Sequence, residues 1–320
     1  MHIFIRWCAL AAVLAAVSSA FAQSYPAKPV RVLIPWPPGG SNDIVGRIVF
    51  QRVSEQTGQQ FVIDNRGGAA GTIGSDLVAK SPPDGYVVMV HSATHIANAH
   101  LYKKLQYDTL NDFIGVTPLA TQVGILVVHP SLPVKSVKEF AVLARTRPGE
   151  IVYASSGSGS FVHLSMALFN SMTDTKMIHV PYKGGGPAGI SIASGETQAM
   201  IATIGSLLPH IESRRVWPLG VTSEKRVKQL PHVPTIGESV PGYELTAWVG
   251  AFTPKGVPRA VIDRLSAEIK KALGHPEVAK MLSSQTLDAW FTTPEEFSRR
   301  LKSDYDKYDK LIKLTGAKLE

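Results

Sequence analysis

Residues 30–53 read VRVLIPWPPGGSNDIVGRIVFQRV, and they combine a strand, a glycine-rich turn and a helix in immediate succession. The run from Val30 to Ile34 is largely β-branched and apolar, which predicts a strand that is covered on both faces. Beyond the two glycines, apolar residues recur at helical spacing from Ile44 to Val53, with Ser41 or Asn42 as the expected N-cap. The stretch therefore predicts one strand–turn–helix unit of an α/β fold.

The same order of elements recurs along the chain. Further strands are predicted at residues 61–63, 86–90, 125–128, 151–153, 177–180, 199–202 and 219–221, and a helix at 137–144. Because strands that alternate with helices form parallel β-α-β units, we expect a doubly wound, mainly parallel sheet. The chain is longer than one compact core normally allows, so two lobes are expected, each with such a sheet.

The chain beyond about residue 250 has a helical pattern, and Thr293-Pro294-Glu295-Glu296 is a strong helix start. This tail has no sheet of its own, so we expect it to pack back onto the first lobe. The predicted lobe 1 is therefore discontinuous, with residues 23–121 plus 250–320, and lobe 2 has residues 122–249. Two crossover segments, near residues 118–124 and 248–252, form the expected hinge.

Residues 1–22 have the pattern of a signal peptide. A positively charged start that ends at Arg6 is followed by an apolar run that is too short to span a membrane. Ala20-Phe21-Ala22 then predicts cleavage before Gln23. The single cysteine, Cys8, lies in this segment, so no disulfide or thiolate metal site is expected in the mature protein.

Charge and hydropathy exclude some classes of function. The formal net charge is +8, and the basic residues are spread along the chain. Nucleic-acid-binding proteins concentrate basic residues on one face, so this class is not expected, whereas a mildly positive surface favours small anionic ligands. No apolar segment after residue 22 reaches eighteen residues, so no transmembrane helix is expected.

Four glycine-rich loops follow predicted strands and lead into helices, at residues 35–40, 66–74, 155–160 and 182–187. Ligands of open parallel sheets bind beyond the carboxyl ends of the strands. A helix start at that place offers unpaired N–H groups and about half a positive charge, which suits an anion. Any one of these loops could be an ordinary turn, but four in corresponding positions favour a binding site.

Single residues in these loops leave alternatives open. The indole of Trp36 either closes over a ligand or packs under its turn. Lys183 either pairs with an anion or is simply exposed. Ser92, Thr94 and His95 are either the polar lining of a site or part of a solvated loop.

Other chemistries find little support in the residues. Gly184 to Gly189 matches G-x-G-x-x-G, but the next strand ends at Ala202 and not at the acidic residue that a dinucleotide site needs. The serine-rich loop lacks the G-x-S-x-G of a nucleophile elbow, although a serine-type hydrolase stays as an alternative. His91 and His95 are four residues apart in a predicted strand end and loop, which does not favour a metal site.

The chain resembles the Bug-type, TctC-like substrate-binding proteins of the tripartite tricarboxylate transporter system. The resemblance covers essentially the whole mature chain. Its motifs are Pro35-Trp36-Pro37-Pro38-Gly39-Gly40 with Asp43 and Arg47, Asp64-Asn65-Arg66, Pro83-Asp84-Gly85-Tyr86, His129-Pro130-Ser131-Leu132-Pro133, Tyr153-Ala154-Ser155, His179-Val180-Pro181-Tyr182-Lys183-Gly184 and Val233-Pro234-Thr235. Each motif is short, but their number and order make the match specific.

The resemblance implies a two-lobed periplasmic-binding-protein fold (type II-like) that closes on its ligand. Carried over to this chain, it predicts ligand contacts from both lobes. They are Trp36, Gly39, Gly40, Ser41, Ala70, Gly71, Thr72, Ser92, Thr94, His95, Ser156, Gly157, Ser158, Gly159, Lys183, Gly184 and Thr203. Ala70 and Thr72 depart from the residues that are frequent in the family, so the ligand cannot be copied from a relative.

The sequence therefore predicts a periplasmic, monomeric solute-binding protein without cofactor or metal and without catalysis. The expected ligand is a small organic mono- or dicarboxylate, aliphatic or aromatic, delivered to membrane transporter subunits or to a sensor. The alternatives are the serine-type hydrolase and a protein-interaction or signalling module with a vestigial cleft.

Overall fold

The computed structural model describes residues 25–317, so the predicted signal peptide lies outside the described residues. The strands are β1 (Val30–Ile34), β2 (Phe61–Asn65), β3 (Val87–Ser92), β4 (Phe113–Val128), β5 (Val152–Ser155), β6 (Ile178–Pro181), β7 (Ala199–Thr203), β8 (Trp217–Val221) and β9 (Thr246–Pro254). The helices are α1 (Ser41–Thr57), α2 (Thr72–Ala79), α3 (Thr94–Leu101), α4 (Val137–Thr146), α5 (Phe161–Thr173), α6 (Gly185–Ser194), α7 (Ile204–Glu212), α8 (Arg259–Leu273), α9 (Pro276–Ser284) and α10 (Pro294–Thr315). The predicted α/β class is confirmed.

Two sheets share the long strand β4. The first sheet contains β2, β1 and β3, which are parallel, followed by β9 and the first part of β4, which are antiparallel to each other. The second sheet contains the parallel strands β6, β5 and β7, with the last part of β4 antiparallel to both β7 and β8. The parallel β-α-β units are therefore as predicted, and an antiparallel β4–β9 ribbon joins them.

This ribbon contains both predicted hinge segments. It pairs Phe113 with Pro254 at one end and Val123 with Thr246 at the other, with two register shifts between them. Such shifts mark bulges, which bend and twist a strand locally. The chain thus passes between the sheets twice through paired strands, and the division into lobes at residues 121/122 and 249/250 stays a prediction.

The C-terminal helices pack differently from one another. Helices α8 and α9 pack on α1 at the first sheet, as predicted for the tail, but α10 contacts both α3 and α5 and so lies against helices of both sheets. Its buried Asp304 accepts hydrogen bonds from Trp248 Nε1 (2.7 Å) and Arg300 Nε (2.9 Å). Phe297, which is fully buried, packs edge-on against Trp248. Helix α10 therefore fixes the crossover strand β9.

Helix starts give one confirmed and one wrong prediction. Thr293 forms the predicted capping box with Glu296 at the start of α10. At the start of α1, however, the N-cap is Gly40, with no side-chain hydrogen bond, and neither Ser41 nor Asn42 caps the helix. The glycine-rich turn places the helix start one residue earlier than expected, and this releases the Ser41 hydroxyl from a capping role.

Among the helices of residues 25–317, none is both long enough and apolar enough to cross a membrane.

Candidate ligand-binding cleft

A small inner cavity of about 50 Å³ lies between the two sheets. One side consists of the β1–α1 turn and the β3–α3 connection, and the other consists of the starts of α5, α6 and α7. Its lining residues are Trp36, Pro37, Gly40, Ser41, Asn42, Ser92, Thr94, Gln122, Ser156, Ser160, Phe161, Val162, Gly185, Ala202, Thr203 and Ser206. Since one water needs roughly 10–15 Å³ by the same kind of measure, the cavity has room for one carboxylate group or a few waters.

Three hydroxyls on the wall of the inner cavity each accept a hydrogen bond from an N–H group of the protein. Ser41 Oγ accepts a hydrogen bond from Gln122 Nε2. Thr94 Oγ1 accepts from the Phe161 N–H (3.3 Å), which links the two sides of the cleft. Ser160 Oγ accepts from the backbone N–H of His163 (3.2 Å).

Each of these three hydroxyls has one O–H proton, and none of the protons is donated to another described residue. A hydroxyl that already accepts from an N–H offers its proton to whatever lies beside it. The inner cavity therefore offers hydroxyl donors to a group that can only accept hydrogen bonds, and an ionised carboxylate is such a group.

The lining of the inner cavity contains no charged side chain among the described residues. A bound anion would instead be held by neutral donors and by the positive ends of the helices that start at the wall. Within this lining, as far as residues 25–317 form it, no carboxylate is placed to neutralise a ligand ammonium group. The arrangement suits a carboxylate better than an amino acid.

An outer compartment of about 690 Å³ lies beyond the same wall. It shares Trp36, Pro37 and Ser156 with the inner cavity, and its further lining is Pro38, Asn65, Gly67, Gly68, Ala69, Ala70, Tyr102, Gly157, Ser158, Pro181, Tyr182, Lys183 and Gly184. Lys183 is the one charged side chain among these described residues, and it is exposed. The volume is within the range of small-molecule sites, roughly 300–1,000 Å³.

The two sides meet closely at one point between the compartments. A Cβ atom placed on Gly184 would lie 2.5 Å from Pro37 Cγ, and the φ angle of Gly184 is +113°. Gly184 belongs to the second-sheet side and Pro37 to the first. Both the contact and the backbone angle therefore require glycine at this position.

The predicted contacts divide between these two compartments. Those that line the inner cavity are Trp36, Gly40, Ser41, Ser92, Thr94, Ser156 and Thr203. Those that line the outer compartment are Trp36, Ala70, Ser156, Gly157, Ser158, Lys183 and Gly184. Trp36 thus lines the cleft, and Ser92 and Thr94 are buried lining residues and not part of a solvated loop. Ligand contact by any of them stays a prediction.

Two predicted ligand contacts, near α3 and α5, instead interact with other residues of the protein. His95 is fully buried, and its ring packs between Phe113 and Phe252 in the core. The N–H of Gly159 is already donated to His163 Nδ1 (3.0 Å), so this loop amide orders its own turn.

Three others lie beside the cleft without lining it. The Gly39 N–H is donated to Asp43 Oδ2 (3.0 Å). A Cβ on Gly71 would lie 2.5 Å from His91 Nε2, so Gly71 packs against that ring. The Thr72 hydroxyl donates to the Ala69 carbonyl (3.0 Å). All three shape the loops that carry other lining residues.

Some lining residues were not predicted. Gln122 comes from the middle of β4, where the neighbouring Val123 lines a groove on the opposite face of the strand. Asn42, Ser160 and Ser206 are polar residues one to three positions into or before a helix. The helix starts would have pointed to Asn42, Ser160 and Ser206, and the alternation of strand faces would have pointed to one face of β4. No local motif, however, distinguishes Gln122 from any other strand residue.

A serine–histidine pair lies below the serine-rich loop. Ser155 Oγ is 2.6 Å from His179 Nε2 and also accepts from the Gly157 N–H (3.1 Å). Ser155 is completely buried, and burial lowers the pKa of His179 to about 4. His179 stacks on His163 at a centroid distance of 4.1 Å. The pair holds the loop in place, and its hydroxyl is closed off from the cleft.

No group of three or more His, Cys, Asp or Glu side chains within residues 25–317 is arranged to hold a metal ion.

Comparisons with known proteins agree with this geometry. The family model described as "Tripartite tricarboxylate transporter family receptor" matches residues 45–317. Protein BugT of Bordetella pertussis is 31% identical over 302 residues, covering 93% of each chain.

Two solved structures are similar over nearly their full length. An R. palustris protein solved with adipate is 34% identical, with a TM-score of 0.90 over 93% of this chain and 100% of that one. MatC from Rhodopseudomonas palustris, solved with bound malate, is 27% identical, with a TM-score of 0.85 over 90% and 100%. From these matches we conclude that the chain belongs to the family of tripartite tricarboxylate transporter receptors.

Proposed function

We propose that this protein is a periplasmic solute-binding protein that captures a small organic carboxylate in the cleft between its two sheets. It would present the loaded form to the membrane subunits of a tripartite tricarboxylate-type transporter or to a sensor. The proposed ligand class of this chain is the small organic carboxylates, and the proposed subsite for the carboxylate group is the inner cavity.

One observation carries the proposal. The Ser41, Thr94 and Ser160 hydroxyls all accept N–H bonds within the protein and keep their own protons for the cavity. Hydrogen bonds to an ionised acceptor in a site that excludes water are shorter and about twice as strong as neutral ones. The adipate and malate found in the two similar structures support the same ligand class.

The proposed capture involves closure about the β4–β9 ribbon. Gln122 lies on this ribbon and bonds to Ser41 at the start of α1, while the Thr94–Phe161 bond joins the two sides. Opening the cleft would break the second of these bonds and expose the inner cavity. Residues 23–121 plus 250–320 and residues 122–249 are the two lobes that we propose to move in this hinge motion.

A hydrolytic function has one observation in its favour, the short Ser155–His179 contact. A serine nucleophile must reach the substrate carbonyl, and Ser155 has no exposed surface. Binding without turnover is therefore the proposal that the geometry supports.

The test is thermal unfolding of the protein purified from the periplasm, after unfolding and refolding to remove any retained ligand. Each carboxylate is paired with its uncharged amide, for example adipate with adipamide and benzoate with benzamide. A carboxylate at ~100 times its dissociation constant should add about 2.7 kcal/mol of stability, and its amide should add little. Equal shifts with acids and amides, or no shift with any acid, would contradict the proposal.

A further inference from the structure

The orientation of Trp36 is the starting point. Trp36 is 7% exposed and lines both compartments of the cleft. Its Nε1 lies 3.4 Å from Nδ1 of the buried His91 and donates to it. The two rings meet edge-on at a centroid distance of 5.8 Å. Because its N–H points into the protein, Trp36 presents only its apolar ring to the cleft.

Nδ1 of His91 can act only as an acceptor. Its Nδ1 also accepts from the Ser92 backbone N–H (2.8 Å), so one lone pair serves two donors and the indole bond is the longer of the two. A ring nitrogen that accepts carries no proton, so the proton of the neutral ring is on Nε2. His91 has no exposed surface, and burial holds its pKa well below the usual range.

The other edge of the same ring faces the second cleft loop of this side. Gly71 is so close to His91 Nε2 that a Cβ there would lie 2.5 Å away. The neighbouring Ala70, which lines the outer compartment, has its carbonyl held by Asn98 Nδ2 (3.0 Å). His91 thus lies between the two first-sheet loops and contacts both.

We propose that His91 is a positioning residue that keeps the indole N–H of Trp36 turned away from the cleft and thereby selects carboxylates with a hydrocarbon body. The proposal rests on the proposed carboxylate function and adds a selectivity to it. With the N–H removed from the cleft, the Trp36 ring gives a ligand hydroxyl no partner. A ligand hydroxyl that is buried against this ring loses its bond to water and gains none from the indole in return.

Three variants separate this role from general stability. His91→Leu removes the acceptor, and His91→Gln restores one through its side-chain oxygen. His95→Leu is the matched control, because His95 is equally buried, lies 5.5 Å from the His91 ring and is packed in the core away from Trp36. Trp36→Phe serves to assign the indole signal.

The first readout is the Trp36 indole N–H resonance in a ¹H–¹⁵N spectrum, identified by its disappearance in Trp36→Phe. Its exchange with water should be faster in His91→Leu and stay slow in His91→Gln and His95→Leu. An unchanged exchange rate in folded His91→Leu would overturn the proposal.

The second readout is the ratio of dissociation constants for pairs of acids that differ by one hydroxyl, such as succinate with malate and butyrate with 3-hydroxybutyrate. The wild-type protein should prefer the hydrocarbon member, and His91→Leu should reduce this preference by roughly fivefold, the change expected for one hydrogen bond. His95→Leu should lower the unfolding temperature and leave the ratio unchanged.

The outcomes distinguish a failure of the proposed function from a failure of this inference. If the wild type binds no carboxylate, the proposed function fails and this inference fails with it. If carboxylates bind but the wild type prefers the hydroxylated members, or if folded His91→Leu keeps the wild-type ratio, only this inference is wrong. If His91→Leu does not fold, a His91→Gln protein with the wild-type exchange rate of the Trp36 N–H and the wild-type ratio supports the inference, and one with fast exchange overturns it.

Discussion

Helices that start at the wall of the cleft differ from those that start elsewhere in the way their first turn is held. Within the described residues, α1, α3, α6 and α7 begin at the cleft without a side-chain cap, and α5 alone begins there with one, Ser160. Helix α2, which begins beside the cleft, also has no side-chain cap. Away from the cleft, α4, α9 and α10 are capped by Ser136, His275 and Thr293, while α8 is not.

Under the proposed function, the uncapped helix starts lie where the ligand would bind. A side-chain cap contributes about 1 kcal/mol, because it satisfies N–H groups that the helix leaves unpaired. At the cleft most of these N–H groups have no side-chain acceptor and so stay available for an anion. The helices that start at the cleft thus have fewer side-chain caps than most helices of the scaffold, and a ligand that accepted from their N–H groups would gain the difference.

Gly184→Ala should have the largest effect on carboxylate affinity, because Gly184 is the uncapped N-cap of α6 and touches Pro37 across the cleft. The positive φ disfavours a methyl group there in every form of the protein, but the methyl group meets the proline ring only when the cleft is closed. A clash of about 2–3 kcal/mol in the closed form predicts a loss of carboxylate affinity of about 100-fold. Isothermal titration calorimetry would measure it.

Gly186→Ala is the control, since Gly186 lies in the same helix start, has no positive φ, and has no atom within 4 Å of the point that a Cβ would occupy. Its affinity should match the wild type. Equal losses in both variants would mean that the helix start, and not the contact across the cleft, sets the affinity.

The start of α1 has no side-chain cap but is stabilised by Asp43, a residue of its own first turn. Its carboxylate accepts from the Gly39 N–H, Arg47 Nε and Asn65 Nδ2, and it is 4% exposed. Burial alone would raise the pKa of Asp43, but the bonds from Arg47, Gly39 and Asn65 outweigh it and lower the pKa below its usual value. Asp43→Asn should therefore lower the free energy of unfolding by about 2 kcal/mol at pH 7.

The sign of the pH dependence follows from that lowered pKa. The contribution of Asp43 is complete above the pKa of the unfolded chain, about 3.9, and is lost as the pH falls through the lower folded value. Urea unfolding should therefore find the difference between wild type and Asp43→Asn largest at pH 7 and smaller at pH 3, with a further decrease as the pH falls. Asp263→Asn, which alters an exposed i,i+4 pair with Arg259, should show little difference at either pH.

The sequence predicted what local patterns determine. The strand–loop–helix units and the Thr293 capping box follow from spacing and cap chemistry, and the glycine-rich loops do reach the cleft. What it missed depends on how distant strands pair and on where the helices begin. Gln122 reaches the site because the β4–β9 ribbon passes beneath it, and His95 leaves the site because α3 begins at Thr94 and turns the next side chain into the core.

Ser160 and Ser136 give the finest test, because they are matching N-caps of α5 and α4 at and away from the cleft. Each accepts from the N–H three residues ahead, at 3.2 Å from His163 and 3.1 Å from Glu139. Substitution of either by alanine should lower the free energy of unfolding by about 1 kcal/mol.

Of the two, Ser160 also lines the inner cavity, where its hydroxyl could donate to the proposed carboxylate. Ser160→Ala should therefore weaken carboxylate binding by roughly five- to tenfold, whereas Ser136→Ala should leave it unchanged. Equal affinities in the two variants, measured by calorimetry at matched stability, would show that the Ser160 hydroxyl serves only its helix. A selective loss in Ser160→Ala would show that one side chain can cap a helix with its lone pair and bind the ligand with its proton.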